Sequence, residues 1–251
     1  MLSRIKKKMK KWLIRTGPRA LPQMVEDWNN ARPAAADGYS QWSTPEPIFT
    51  PWNGGEFEKE FSAIKDRTLV SRDRCYLINR FAQYAGHLNG AMAECGVYQG
   101  GTAYLLAERA RTSSKKLFLF DSFKGLPAPA QSDNFCKEGD LSDVNELDVR
   151  NYLKKFEDII QWKIGYMPQT FSGLEAEKFS FVHIDVDIYE SAKACCEFFL
   201  PRLTTGGIML FDDYGFLACM GLRKAVDEFF KDKKESVIAL PTGQAFVIRR
   251  T

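Results

Sequence analysis

From about residue 64 to the C-terminus, short continuous apolar runs alternate with longer stretches whose apolar residues recur at helical spacing. The spacing predicts helices over 72–85, 102–110, 144–156, 190–200 and 222–230. Between them it predicts strands at 91–96, 117–120, 162–166, 179–184 and 207–211, then a last pair at 237–240 and 245–248 joined by a Pro-Thr-Gly turn. A strand apolar at nearly every position must be covered on both faces, which points to a parallel sheet flanked by helices. The closing pair predicts an antiparallel edge. The fold class is therefore α/β, a mostly parallel seven-stranded sheet with helices on both faces. Ligands of such sheets bind outside the carboxyl ends of the strands, so the polar residues there matter most.

Composition narrows the rest. A chain of 251 residues, 45% hydrophobic and 13% aromatic, can bury a sizeable core and is not globally disordered. No apolar run approaches the ~20 residues of a membrane span, and the apolar stretch near Trp12 is too short for a secretion signal. The six cysteines lack zinc-like spacing and are expected to be reduced thiols in a cytoplasmic protein. Residues 1–19 carry eight Lys or Arg and no acid, which leaves 27 basic against 32 acidic residues in the remainder, a net charge of −5. That mildly acidic body gives no reason to expect a nucleic-acid partner. Residues 1–15 are expected to be a solvated tail, with weak membrane-surface contact as the alternative. Residues 1–60 hold six of the eleven prolines and four of the five tryptophans and read as irregular. Residues 1–63 are accordingly expected to form a basic arm and a substrate lid, with Trp42, Phe49 and Trp52 covering the acceptor.

Four strand ends carry chemistry. The first runs Glu94-Cys95-Gly96-Val97-Tyr98-Gln99-Gly100-Gly101-Thr102. Its glycines permit a tight strand-to-helix turn and close ligand approach, though the same pattern serves ordinary turns. The second ends at Asp121, 25 residues after Gly96, with Ser122 following. An acid at that place can accept both hydroxyls of a ribose, or can cap a turn. Together these favour a nucleoside-containing cofactor. The strands at 179–184 and 207–211 deliver Asp185, Asp187, Asp212 and Asp213. If these strands are neighbours, the four carboxylates converge and repel unless a cation sits among them. All-oxygen donors suit Mg²⁺, Mn²⁺ or Ca²⁺ rather than zinc. His183, inside an apolar strand, reads as a buried, hydrogen-bonded histidine rather than a ligand.

With those residues in place, the chain resembles the macrocin O-methyltransferase (TylF-like) family of sugar O-methyltransferases. The resemblance rests on residues 94–102, Asp-Ser-Phe-Lys-Gly-Leu-Pro at 121–127, His-Ile-Asp-Val-Asp-Ile-Tyr-Glu-Ser at 183–191, Pro-Arg-Leu-Thr-Thr-Gly-Gly at 201–207 and Phe-Asp-Asp-Tyr-Gly at 211–215. It implies a Rossmann-like class I methyltransferase fold over residues 64–251 and S-adenosyl-L-methionine as cofactor. It implies Glu94, Gly96 and Tyr98 around the methionine end, with Gly100 and Thr102 in the same turn, Asp121 and Ser122 at the ribose, and Tyr166 beside the adenine. It further implies Mg²⁺ or Mn²⁺ on Asp185, Asp212 and Asp213, and Asp187 as general base or cofactor contact. The expected partner is a small-molecule hydroxyl acceptor, a glycoside, and a homo-oligomer is expected. Residues 129–140 match none of these motifs. The same chemistry on a catechol or phenol, a metal-dependent glycosyltransferase and a non-catalytic scaffold are the rival readings.

Overall fold

The computed structural model describes residues 50–53 and 55–251, and the chain from Thr50 onward forms one compact unit. The basic arm, Trp42 and Phe49 lie outside the described residues. The elements are helices α1 (Gly55–Ile64) and α2 (Arg72–Ala85), strand β1 (Ala91–Cys95), helix α3 (Gly101–Thr112), strand β2 (Leu117–Asp121), helix α4 (Glu146–Tyr152), strands β3 (Ile160–Ile164) and β4 (Phe179–Ile184), helix α5 (Tyr189–Phe199), strand β5 (Leu203–Phe211), helix α6 (Met220–Phe230) and strands β6 (Ile238–Ala239) and β7 (Ala245–Ile248). They build one seven-stranded sheet in the order β3-β2-β1-β4-β5-β7-β6. All pairings from β3 to β5 are parallel; β7 joins β5, and β6 joins β7, antiparallel.

Alternate residues of the central strands feed two cores. Met92, Phe181, Ile208 and Leu210 face a layer containing Ile78 and Ala82 of α2 and Leu106 of α3. Ala93, Val182, Met209 and Phe211 face Cys195 and Phe199 of α5 and Val226 of α6. This two-sided burial explains the unbroken apolar runs.

Several boundaries differ from the sequence expectation. Residues 55–60, expected to be irregular, belong to α1, which buries Phe57 and Ile64 against the body. The helix expected over 144–156 is shorter: the Asn145 side chain accepts from Asp148 N at 3.2 Å, starting α4 at Glu146. A separate 3₁₀ turn spans Lys154–Phe156. Val149, Leu153 and Phe156 are all buried, so apolar spacing could not separate the two elements. β3 starts two residues earlier than expected and ends before Gly165, whose φ is 138°. β5 begins at Leu203 rather than 207, with Gly206 and Gly207 hydrogen-bonded to Arg249 at 3.0 and 2.8 Å. No helix among the described residues is long and apolar enough to cross a membrane.

Candidate active site

The carboxyl ends of β1 and β2 are tied together by one side chain. Asp121 Oδ2 accepts from the backbone N–H of Val97 at 2.7 Å and of Tyr98 at 2.9 Å, while Oδ1 accepts from Phe123 N at 2.7 Å. Tyr98 and Phe123 both adopt left-handed backbone, φ 50° and 51°. Strain of that kind in non-glycine residues persists only where the surroundings enforce it, and here Asp121 does so. Gly96 is obligatory for another reason. Its φ is 88°, and a Cβ there would lie 1.8 Å from the Asp185 carbonyl oxygen. The glycine turn therefore abuts the end of β4.

The other expected cofactor residues surround this turn. Gly100 (φ 83°) caps the N-terminus of α3, and Thr102 is buried in its first turn. Ser122 Oγ bonds Gly125 O and Lys124 N, each at 3.1 Å, so it braces its own turn. Tyr166 is exposed just past β3, where Gly165 N bonds Asp121 O at 2.9 Å.

β4 and β5 are neighbours, so the four aspartates converge. The ladder continues one residue beyond the strands: Asp185 N bonds Cys95 O and Asp212 N bonds Ile184 O, both at 2.9 Å. Burial and the charges of Asp212, Asp213 and Asp187 push the Asp185 carboxyl well above the usual range. Burial and the charges of Asp187 and Asp212 push Asp213 up to about 7. Asp187 sits at the apex of a tight turn closed by Ile188 N to Val186 O at 2.7 Å, with φ 62°. A three-residue turn with positive φ is rare and strained. Asp187 Oδ1 accepts from the Cys219 thiol at 3.4 Å. Ligand atoms of His183, Asp185 and Asp212 lie within 4.8 Å of one another, as do those of Asp187, Asp213 and Cys219.

Asp212 differs from the other three. Burial opposes its ionisation, but His183, Arg74 and Gln244 outweigh that and hold it below the usual range. Arg74 ion-pairs with its Oδ2 and lies 3.3 Å from Asp213 Oδ1; Gln244 Nε2 donates to Oδ1 at 2.8 Å. On the far side, His183 Nε2 stands 3.5 Å from Asp212 Oδ1, and Nδ1 is 2.9 Å from Glu94 Oε1. Burial disfavours a charged imidazole, but the neighbouring Asp212 and Glu94 carboxylates win and raise its pKa to about 9. Burial pushes the Glu94 carboxyl up, with His183 and Thr102 opposing. The result is a buried row of alternating sign: Glu94, His183, Asp212, Arg74. Its charges balance along the row, and the carboxyls of Asp185 and Asp213 crowd beside Asp212. Crowded carboxyl oxygens of this kind fit a hard divalent cation, and Asp212 could share one oxygen with it.

Arg74 and Gln244 were not singled out from the sequence. Arg74 offered one signal, a charged residue on the buried face that α2 otherwise fills with Cys75, Ile78, Asn79, Ala82 and Ala85. Gln244 offered none. His183 is buried and bonded, as its place in an apolar strand suggested.

Residues 129–140 flank the Asp187 side of the cluster. Asp133, 3% exposed, accepts from Tyr189 N at 3.0 Å at the start of α5 and from Ala130 N at 2.9 Å. The Cys136 thiol reaches Ala218 O at 3.6 Å, one residue from Cys219. The loop is thus pinned to the segments following both β4 and β5.

Known proteins share this architecture. The chain is 28% identical over 153 residues to the 8-demethyl-8-(2,3-dimethoxy-alpha-L-rhamnosyl)-tetracenomycin-C 4'-O-methyltransferase of Streptomyces olivaceus, covering 56% of this chain and 58% of that protein. It is 26% identical over 155 residues to the mycinamicin III 3''-O-methyltransferase of Micromonospora griseorubida, with 56% and 60% covered. The match thus spans under two thirds of either relative. Among solved structures, the O-methyltransferase NovP superposes with a TM-score of 0.66 at 21% identity over 74% of this chain and 83% of that one. The calicheamicin methyltransferase CalS11 gives 0.63 at 15% identity, with 78% and 93% covered. These two show the fold, that of Rossmann-like class I O-methyltransferases. The profile of macrocin-O-methyltransferase (TylF) matches residues 67–241, more than half of the sequence and all of the strand-end residues described above, and the chain belongs to that family.

Proposed function

We propose that this protein transfers a methyl group from S-adenosyl-L-methionine to a hydroxyl of a sugar on a small glycosylated molecule, with the help of a divalent cation. One observation carries this reading. The glycine turn tied to Asp121 abuts Asp185, which supports placing a nucleoside cofactor directly beside the carboxylate cluster. Family membership supports the methyl donor, and the rhamnosyl group in the name of the Streptomyces olivaceus relative supports a sugar acceptor.

The residues then take the following parts. Glu94 has a buried Oε2 with no hydrogen-bond partner, suited to the ammonium end of the cofactor. Gly96, Tyr98, Gly100 and Thr102 shape the turn against the methionine moiety. Asp121 retains acceptor capacity on Oδ1 for a ribose hydroxyl, Ser122 stiffens that turn, and Tyr166 flanks the adenine. Asp185, Asp213 and Asp212 would hold the cation, which would supply Lewis-acid chemistry toward the acceptor hydroxyl. Asp187, projected from its strained turn, would take the acceptor proton; S-adenosyl-L-methionine, when bound, would supply the methyl group and leave as S-adenosylhomocysteine.

The test is methyl transfer from labelled S-adenosyl-L-methionine to a panel of rhamnosides and catechols, with and without EDTA. Label in a rhamnoside, lost with EDTA and restored by Mg²⁺, is expected. Transfer to catechols alone would reject the acceptor class, and EDTA-insensitive transfer would reject the cation. Calorimetry showing no binding of S-adenosylhomocysteine would remove the methyltransferase reading.

A further inference from the structure

Between the cofactor turn and the carboxylate cluster lies a direct physical link. Glu94 on β1 and His183 on β4 are register partners in adjacent parallel strands. His183 is followed across the sheet by β5, whose next residue past Phe211 is Asp212. All three side chains point to the α2 face, in line with Met92, Phe181 and Leu210, and none is exposed to solvent. Three ionisable groups there replace what the strands elsewhere fill with apolar side chains. Buried ionic rows are poor stabilisers, since their desolvation cost offsets their attraction. The row also has two loose ends: Glu94 Oε2 and His183 Nε2 are buried with no hydrogen-bond partner within normal reach.

We propose that His183 is a positioning residue through which occupancy of the cation end of the site strengthens binding at the cofactor end, and the reverse. This rests on the methyltransferase reading given above. The imidazole is rigid, so its two nitrogens move together. Its Nδ1 contact is closed at 2.9 Å and its Nε2 contact is open at 3.5 Å. Fixing Asp212 closes the second contact and thereby sets the ring; the ring sets Glu94 Oε1 and aims Oε2. Fixing Glu94 first sets Asp212 by the same path. Coupling between two ligands is reciprocal, so the effect is readable from either side.

The experiment is calorimetric titration of S-adenosylhomocysteine with and without saturating MgCl₂, and of MgCl₂ with and without S-adenosylhomocysteine, on the full chain. In the wild type, each ligand should tighten the other by roughly tenfold. His183→Asn keeps an amide where Nδ1 stood, and His183→Gln places one near Nε2. Each variant keeps a polar group at one of the two nitrogen positions and lacks the other, so each should bind both ligands singly with the coupling factor near one. A purely structural role would lower thermal stability and both affinities and leave the coupling factor at its wild-type value, which would overturn the proposal. So would a wild-type factor of one when both ligands bind, a result that needs no variant to fold. A wild type that binds no S-adenosylhomocysteine removes the methyltransferase reading, and the proposal with it.

Discussion

A single backbone angle sets the chemistry of Asp187. At φ 62° its carboxylate is thrown out of line with Asp185, two residues earlier on the same segment, and meets Asp213 and Cys219. Asparagine tolerates left-handed backbone as readily as aspartate, so Asp187→Asn preserves the turn and removes the base. Binding of S-adenosylhomocysteine and Mg²⁺ should survive while methyl transfer falls by about 10²–10⁴. A fully active variant would leave Asp187 without a catalytic part. Asp121 makes a contrasting case, because its carboxylate braces three backbone N–H groups. Asp121→Ala should weaken S-adenosylhomocysteine binding by at least tenfold in calorimetry, through a loosened turn as well as a lost ribose contact. Unchanged affinity would show that the turn holds itself.

At the scale of elements, the loop over residues 129–140 is tied to its neighbours through one buried carboxylate. Asp133 anchors residues 129–140 to the start of α5, and its carboxylate also fills the space beside Gly221 at the start of α6. A Cβ on Gly221 would lie 1.6 Å from Asp133 Oδ1. Gly221→Ala should therefore displace Asp133 and free the loop. Hydrogen exchange should quicken over residues 129–140 and not over β1 and β4, with a stability loss of about 1–3 kcal/mol. Protection unchanged in the loop would show that other contacts hold it. The sequence could not reveal this latch, because Asp133 and Gly221 stand 88 positions apart with no motif around either.

For the molecule as a whole, charge balance decides how stability responds to pH and metal. Asp213 ionises near 7 in the folded chain, and Asp185 is also raised. A carboxyl whose folded pKa exceeds its unfolded value stabilises the fold below that unfolded value, about 3.9. That contribution is lost as pH rises through about 7 for Asp213. Metal-free protein should therefore melt at progressively lower temperature between pH 5 and 8 (roughly the interval bracketing that transition). Saturating Mg²⁺ should flatten the trend, and a pH profile identical with and without Mg²⁺ would remove the cation from the cluster. Arg74 is the resident countercharge, so Arg74→Met should cost roughly 3–5 kcal/mol in EDTA, the usual penalty for breaking a buried pair. The cost should be smaller in Mg²⁺; thermal melts in the two buffers check this, and equal losses would mean that Arg74 acts by packing alone.

Period and punctuation in the sequence determined the α/β class, the antiparallel edge and the carboxyl ends of β1, β2, β4 and β5. Hydrophobic patterning is a local property, and ligand sites of parallel sheets lie at fixed places in the strand order. The four aspartates and the glycine turn were legible for that reason. Only the tertiary structure decided which carboxylates are compensated. Arg74 arrives from α2, 138 residues before Asp212 in the chain, and Gln244 from the loop before β7. His183 became a bridge because β4 lies between β1 and β5, an order that no single strand encodes. Electrostatic balance depends on distances through space, and the sheet, by bringing β1, β4 and β5 side by side, sets those distances.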